Sequence, residues 1–412
     1  MVAALVLAAV AVPMLRSGAR ARSAARLARE ALAARRFEEA RDLIGRWDAL
    51  APRDGEPAYY RALLEVEADR PAEAIDAIRR SVARGYPAGP LEVLRAILMA
   101  RAGRLDEAEP VLARAFQGGD GPRVEVAEAL ARIYLKTFRL AEAARALDAW
   151  TLAAPDDPRP FLLRNEVDER VESGPAAPIR NYREALRRDP GRLDARLGLA
   201  EKLREASMLD EAEAEYATLL GRAPRDLRGR VGAGRVALLK GDVQAAARHF
   251  AEALAIDPRD KVALRESGLI DLNAGRVEQA CVRLKAAVEV DPHDPEVRYS
   301  YARALGRSGD APRAAAEDAA TERLRGEQRR ITDLRRRLVG RPDDVDLRGE
   351  AARWLIEHGH EKEGLEWTEL ILRRHPGHPP TCRLLADYHA ARGDHGLANY
   401  YRLAASTAAG PN

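Results

Sequence analysis

A proline returns along this 412-residue chain at a nearly fixed interval. Pro52, Pro87, Pro122, Pro155, Pro190, Pro224, Pro258, Pro292, Pro342 and Pro376 are separated by 35, 35, 33, 35, 34, 34, 34, 50 and 34 residues. A period of this length marks a stack of like supersecondary units, each resting on its neighbours, and not one globular core. Such stacks present long binding surfaces, so the repetition points toward binding and away from catalysis.

Other residues hold a fixed distance from each proline. Small residues lie twenty-two positions on (Ala74, Ala144, Ala177, Ala212, Ala246, Ala280, Ala314, Ala398), with Glu109 and Gly364 as the exceptions. Ten positions on, Ala62, Ala200, Gly234, Gly268, Ala302, Ala352 and Ala386 are small as well. Seventeen positions on, the last five units carry Gly241, Gly275, Gly309, Gly359 and Gly393. These offsets describe a helix hairpin. Proline cannot sit within a helix, glycine supplies a left-handed turn between two helices, and the small slots let helix backbones approach. Apolar residues between the punctuation recur at three and four, the period of a buried helical stripe.

The same register of small residues resembles the tetratricopeptide repeat family from about residue 22 to 407. The family's aromatic in the second helix survives as Tyr182, Tyr216 and Phe250, becomes Leu284 and then Asp318, and its first-helix Trp is missing throughout. The resemblance implies an all-α, right-handed α-solenoid of about eleven helix-turn-helix pairs, starting near residues 22, 55, 90, 123, 157, 193, 227, 261, 295, 345 and 379. The unit Arg159 to Arg188 is degenerate, with four charged residues crowding its first helix and Pro178 in its second. The single 50-residue interval adds sixteen residues to the second helix of the ninth pair. Leu324, Ile331, Leu334 and Leu338 form one stripe there, amid seven arginines. The expected divisions are 1–21, 22–320 (nine pairs), an extended Arg-rich helix at 321–343, and two last pairs at 344–408.

Residues 1–15 are wholly apolar and are followed by Arg16, Arg20, Arg22, Arg26 and Arg29. Fifteen helical residues reach roughly 22 Å, short of the roughly 30 Å of a hydrocarbon core. The preferred reading is nevertheless a short membrane anchor, over a cleaved signal or a plain helix, as in the bacterial N-terminally anchored repeat proteins that this layout resembles. The arginine flank would place the solenoid on the cytoplasmic side, and a start further upstream would make it periplasmic.

Composition narrows the chemistry. Basic residues number 68 against 65 acidic, a net charge of +3, and such a balanced surface argues against nucleic acid as a partner. Two cysteines cannot make a disulfide framework, and both Cys281 and Cys382 read as core thiols. Gly232 to Ala237 spells a dinucleotide fingerprint, but within a helical pattern, where the glycines cannot form a strand-to-helix turn. No nucleophile, acid and base converge, so neither an enzyme nor a cofactor is expected.

Six of eight histidines lie in the last 55 residues. His375 and His378 fall in a turn between pairs, whereas His358, His360, His389 and His395 fall near one edge and would converge on a metal if they meet at all. That makes a metal- or cofactor-handling accessory protein the rival to a scaffold. The resemblance favours the scaffold: first helices line a concave groove, and their groove slots carry Arg228, Arg235, Arg265, Asn273, Arg303, Arg307 and Arg353. Guanidinium forks on one wall suit carboxylates, so the expected partner is an acidic protein or peptide. The family's two-carboxylate clamp does not carry over, because its Asn is absent from the matching slots. Trp47, Trp150, Trp354 and Trp367 read as contacts between units, not as docking anchors.

Overall fold

The computed structural model describes residues 2–119, 121–171 and 174–407, with side chains from residue 18 to 406. Among them are twenty-two α-helices and no strand. They fall into two compact units, one of residues 1–136 and 148–154, the other of residues 137–147 and 155–412.

The first unit holds α1 (Val2–Ala33), α2 (Phe37–Leu50), α3 (Glu56–Glu67), α4 (Pro71–Ala83), α5 (Ala88–Arg101), α6 (Leu105–Gly118) and α7 (Arg123–Lys136). Helix α8 (Leu140–Ala153) is divided, its first eight residues belonging to the second unit. The second unit continues with α9 (Arg159–Arg170), α10 (Ala176–Arg188), α11 (Leu193–Glu205), α12 (Leu209–Arg222), α13 (Leu227–Leu239), α14 (Val243–Ile256) and α15 (Lys261–Asn273). It ends with α16 (Val277–Val290), α17 (Pro295–Ser308), α18 (Ala311–Gly340), α19 (Val345–Glu357), α20 (Glu361–Arg374), α21 (Pro379–Ala391) and α22 (His395–Thr407). Within each unit helices pair as hairpins and each hairpin rests on the next, which is the solenoid arrangement.

One joint, repeated eleven times, makes the hairpins. Arg35, Asp69, Gly103, Phe138, Gly174, Ser207, Gly241, Gly275, Gly309, Gly359 and Gly393 all have positive φ and stand just before a second helix. At Gly275 the chain shows why. Arg276 N–H donates back to Asp271 O at 2.9 Å and Gly275 N–H to Leu272 O at 3.1 Å, closing α15 in a Schellman turn. The carbonyl of that same Arg276 accepts from Ala280 N–H at 3.0 Å, opening α16. One residue thus ends one helix and begins the next, with no slack.

Counted from this joint, the small slot is nearly constant. Four residues after each shared cap lie Ala40, Ala74, Ala108, Ala143, Ala212, Ala246, Ala280, Ala314, Gly364 and Ala398, with Ile179 in the degenerate pair. Counting from the proline misses by one at Glu109 and Ala144, where Ala108 and Ala143 are the fully buried residues. A Cβ on Gly364 would meet Ile356 Cγ1 at 2.6 Å, so that pair needs the smallest side chain. In the degenerate pair a polar contact fills the space: buried Asn181 donates to Asn165 Oδ1 at 2.9 Å and to Asp168 Oδ2 at 2.7 Å.

First helices start where an aspartate two residues after the proline caps them. Asp226, Asp260, Asp294 and Asp344 each accept a backbone N–H in their own first turn, a cap worth about 1 kcal/mol. The aromatic slot is filled by Tyr216 and Phe250, both fully buried. Their rings lie where a Cβ on Gly232 or Gly234 would have to go, at 2.3 Å and 2.7 Å. The fingerprint-like glycines are thus helix contacts inside α13. All four tryptophans are buried, as is Cys382, and Cys281 is half-buried.

The expectation of an N-terminal membrane anchor is corrected: among the described residues no helix is long and apolar enough to cross a membrane. The apolar run stops after fifteen residues, and any longer window of α1 takes in Arg16 and then Arg20. Helix α1 runs unbroken from Val2 through the expected division after residue 21, and it buries Ala24, Ala25, Ala28, Ala31 and Leu32 in the first hairpin. The expected membrane contact of residues 1–15 falls on Met1, outside the described residues, and on side chains outside those described. The assignment of a cytoplasmic or periplasmic side depended on the anchor and falls with it.

Helix α18 is thirty residues long, about twice its counterparts. Its stripe of Leu324, Ile331, Leu334 and Leu338 is buried, and Arg330 and Arg335 pair with Glu350 of α19 (3.2 Å) and Glu363 of α20 (3.0 Å). Into this core comes a segment from far back in the chain. Phe138 shares a cluster with Ile331, Leu334, Leu338, Leu347, Trp354, Trp367 and Leu384. Its ring meets Trp367 edge-on at 5.4 Å, and Arg170 lies over it at 4.9 Å. Burial, with help from neighbouring Arg335, pulls the Arg170 guanidinium below its ordinary pKa, against the opposing pull of Glu166. Arg348 reaches the Thr137 carbonyl at 3.5 Å, a contact across 211 residues of sequence.

Candidate functional site

The seven residues assigned to the groove lie in the second unit on α13, α15, α17 and α19. Their surroundings divide them. Arg228 pairs with Glu201 of α11 at 3.1 Å. Arg235 and Arg265 converge on one carboxylate, Glu266, at 3.2 Å and 2.6 Å, and Glu266 is only 7% exposed. Arg307 donates to the Leu272 carbonyl at 2.6 Å, and Arg353 lies 4.0 Å from Glu357. Arg303 and Asn273 are exposed, with no side-chain partner among the described residues. Arg303 stands one turn before Arg307 on α17, and Arg307 reaches the residue preceding Asn273. The structure therefore gathers Asn273, Arg303 and Arg307 at neighbouring ends of α15 and α17, while Arg228, Arg235 and Arg265 are held by acids.

Much of the arginine excess has a structural use that no sequence count revealed. Six residues after the proline, Arg196, Arg230, Arg298 and Arg348 turn back and donate to the carbonyls of Pro190, Pro224, Pro292 and Pro342. Three of them also meet a carboxylate of the second helix: Arg196 with Glu215, Arg230 with Glu252 and Arg298 with Glu317. A guanidinium's planar fork of five donors can hold a turn and a neighbouring helix at once. Arg101 uses the Val66 carbonyl as Arg307 uses that of Leu272, so Arg307 too ties one first helix to the next.

The four histidines of the rival reading are not gathered into one site. His358 stacks on Trp354 at 4.2 Å, its Nδ1 2.7 Å from the Trp354 carbonyl, and His360 lies parallel to the same indole at 6.2 Å. His389 stacks instead on Tyr401 at 5.7 Å. His395 opens α22. Among the described residues no group of three or more His, Cys, Asp or Glu is placed to hold a metal ion. Beside Trp354 a cleft of about 440 Å³ lies between α18 and α19, lined by Arg323, Glu327, Arg330, Arg353 and His358. An ion pair crosses it from Arg330 to Glu350, His358 Nε2 lies 3.7 Å from Glu327, and three arginines face three glutamates around it.

Helix hairpins joined by left-handed turns and stacked on small residues define a class of protein built to hold other proteins and peptides. Tetratricopeptide repeat models match residues 99–166 and 175–230, and 266–327. These matches, together with the register of the hairpins, support a protein of the tetratricopeptide repeat family, whose members are generally non-catalytic scaffolds. Solved structures similar to it include PilW, described as a widely conserved type IV pilus biogenesis factor (16% identity, TM-score 0.42, covering 48% of this chain and 90% of that one). Another is a thermophilic TPR protein from Thermus thermophilus (23% identity, TM-score 0.33, covering 44% and 91%). A third is YrrB, described as a TPR protein with an unusual peptide-binding site (18% identity, TM-score 0.31, covering 51% and 97%). Likenesses at these scores say nothing of what this chain binds. No curated protein matches it.

Proposed function

We propose that the chain is a non-catalytic scaffold that holds an acidic protein or peptide segment against the first-helix face of α15 and α17. The observation that carries this reading is the exposed pair Asn273 and Arg303 beside Arg307, donors on one face without an acid to neutralise Arg303. A carboxylate there would gain charge-assisted hydrogen bonds, and a preformed helical wall costs little ordering on binding. Arg228, Arg235 and Arg265 flank the site as wall residues, already satisfied by Glu201 and Glu266. Arg353, beside Glu357, lies further along the same series of first helices.

A photoreactive residue tests this in cells. Placed at Asn273, it should capture a partner that Arg303→Glu abolishes. The same group at Gln279, on the opposite helix of the hairpin, should capture nothing that depends on Arg303. Equal capture at both positions, or capture indifferent to Arg303→Glu, would refute the assignment.

A further inference from the structure

The last helix carries a surface that the rest of the solenoid does not have. Three, six and nine residues after the second-helix cap, the hairpins present charged or small residues to solvent: Glu39, Asp42 and Gly45 in α2, or Glu363, Glu366 and Glu369 in α20. Counted from Asp394, which caps α22, the same slots hold Leu397, Tyr400 and Leu403. They are 42%, 63% and 65% exposed. Elsewhere a single apolar residue enters these slots, as Val282 does, but never three large ones in a row.

This stripe is not a socket for a further hairpin. Eight residues after the cap, Phe250 and Leu284 are fully buried in their hairpins, and α22 has exposed Arg402 in that slot. The side of α22 on which another hairpin would stack is therefore polar, and the apolar side points elsewhere.

We infer that a second copy of this chain covers the stripe, with two α22 helices meeting antiparallel about a two-fold axis. The spacing is palindromic: Leu397 and Leu403 stand three residues either side of Tyr400. An antiparallel pairing sets Tyr400 against its own counterpart and each Leu397 against a Leu403, the self-complementarity that an isologous contact requires. Opposed helix dipoles favour the same arrangement. The neighbouring acidic row of α20 does not oppose it strongly, because Arg335 and Arg373 already hold Glu363 and Glu369 (3.0 and 2.6 Å). Three such side chains offer on the order of 350–400 Å² of surface, a large apolar patch for a monomer yet about half of one side of a standard interface. The dimer is accordingly weak and depends on concentration.

Sedimentation velocity over a low- to high-micromolar series of the full chain tests this. The wild type should pass from monomer to dimer, and Tyr400→Glu should raise the dissociation constant at least ten-fold with an unchanged far-ultraviolet circular dichroism spectrum. Register is read from a mixture: Leu397→Lys and Leu403→Glu should each be monomeric alone and associate when combined. A wild type that stays monomeric throughout overturns the inference, as does a dimer indifferent to Tyr400→Glu. Charge variants that do not associate when mixed overturn the antiparallel register.

Discussion

Replacing Phe138 probes the contact on which the C-terminal hairpins of the second unit depend. The side chain is 6% exposed in the cluster of α18 to α20, edge-on to Trp367 and beneath Arg170. Truncating a buried Phe to Ala costs about 3–5 kcal/mol, including the roughly 0.5–1.5 kcal/mol of an aromatic pair. Phe138 also sits at φ +63°, a conformation that costs a non-glycine residue roughly 1–2 kcal/mol. Ala retains that cost and Gly removes it, at the price of roughly 0.5–1 kcal/mol in extra unfolded-state freedom. Phe138→Gly should therefore lose about 2–4 kcal/mol, slightly less than Phe138→Ala, reversing the usual order of the two. Because stacked hairpins open locally, hydrogen exchange resolved along the chain is the appropriate assay. Amides in Ile331 to Trp367 should lose about two to four decades of protection in Phe138→Ala, while those of α13 to α16 stay as they are. Unchanged exchange in Ile331 to Trp367, or a Phe138→Gly protein more stable than wild type, would refute the argument.

Three further expectations follow from the joints and slots. Ser207→Gly, exposed and at φ +59°, should raise stability by up to about 1 kcal/mol in a thermal melt, since no side-chain contact offsets the relieved backbone. Gly232→Ala should cost at least about 1–3 kcal/mol in a denaturant titration because its Cβ would enter the Tyr216 ring, whereas Gly306→Ala, with nothing within 4 Å, should be neutral or stabilising. Burial holds His249 below the ordinary histidine pKa, with its Nδ1 buried and without a partner, so the unfolded chain takes up that proton more readily than the folded one as pH falls through about 6.5. Stability should decline on acidification from pH 7 toward 5.5, and His249→Gln should flatten that decline in melts taken across the range.

The hairpin stack was legible because ten prolines repeat one local constraint, so no single degenerate unit hides it. The joint was half legible. Glycine marks it in the last five pairs, but Arg35, Asp69, Phe138 and Ser207 adopt the same left-handed turn without the residue that signals it. The apolar start of α1 misled because hydropathy alone does not separate the beginning of a long helix from a membrane segment. At the candidate site the arginine positions were visible, but their neutralisation was not. Glu266 lies 31 residues from Arg235, and whether the two meet depends on the stagger between hairpins. The Phe138 contact left no sign at all, since neither period nor composition links residue 138 with residue 367.

A repeat array ordinarily matures as it is made, each hairpin settling on the one before. The contact between Thr137 and Arg348 breaks that rule for one short stretch. Thr137 and Phe138 leave the ribosome long before the partners they meet in α18 to α20 exist. At translation rates of about 5–20 residues per second, some 200 residues of chain mean roughly 10–40 seconds of waiting. For that interval an aromatic ring in a strained turn stands bare, and closing so large a loop is the slow, late event of maturation. Chaperones would find this protein most vulnerable in its middle, and a nascent chain halted before residue 331 would lack every late partner of that ring.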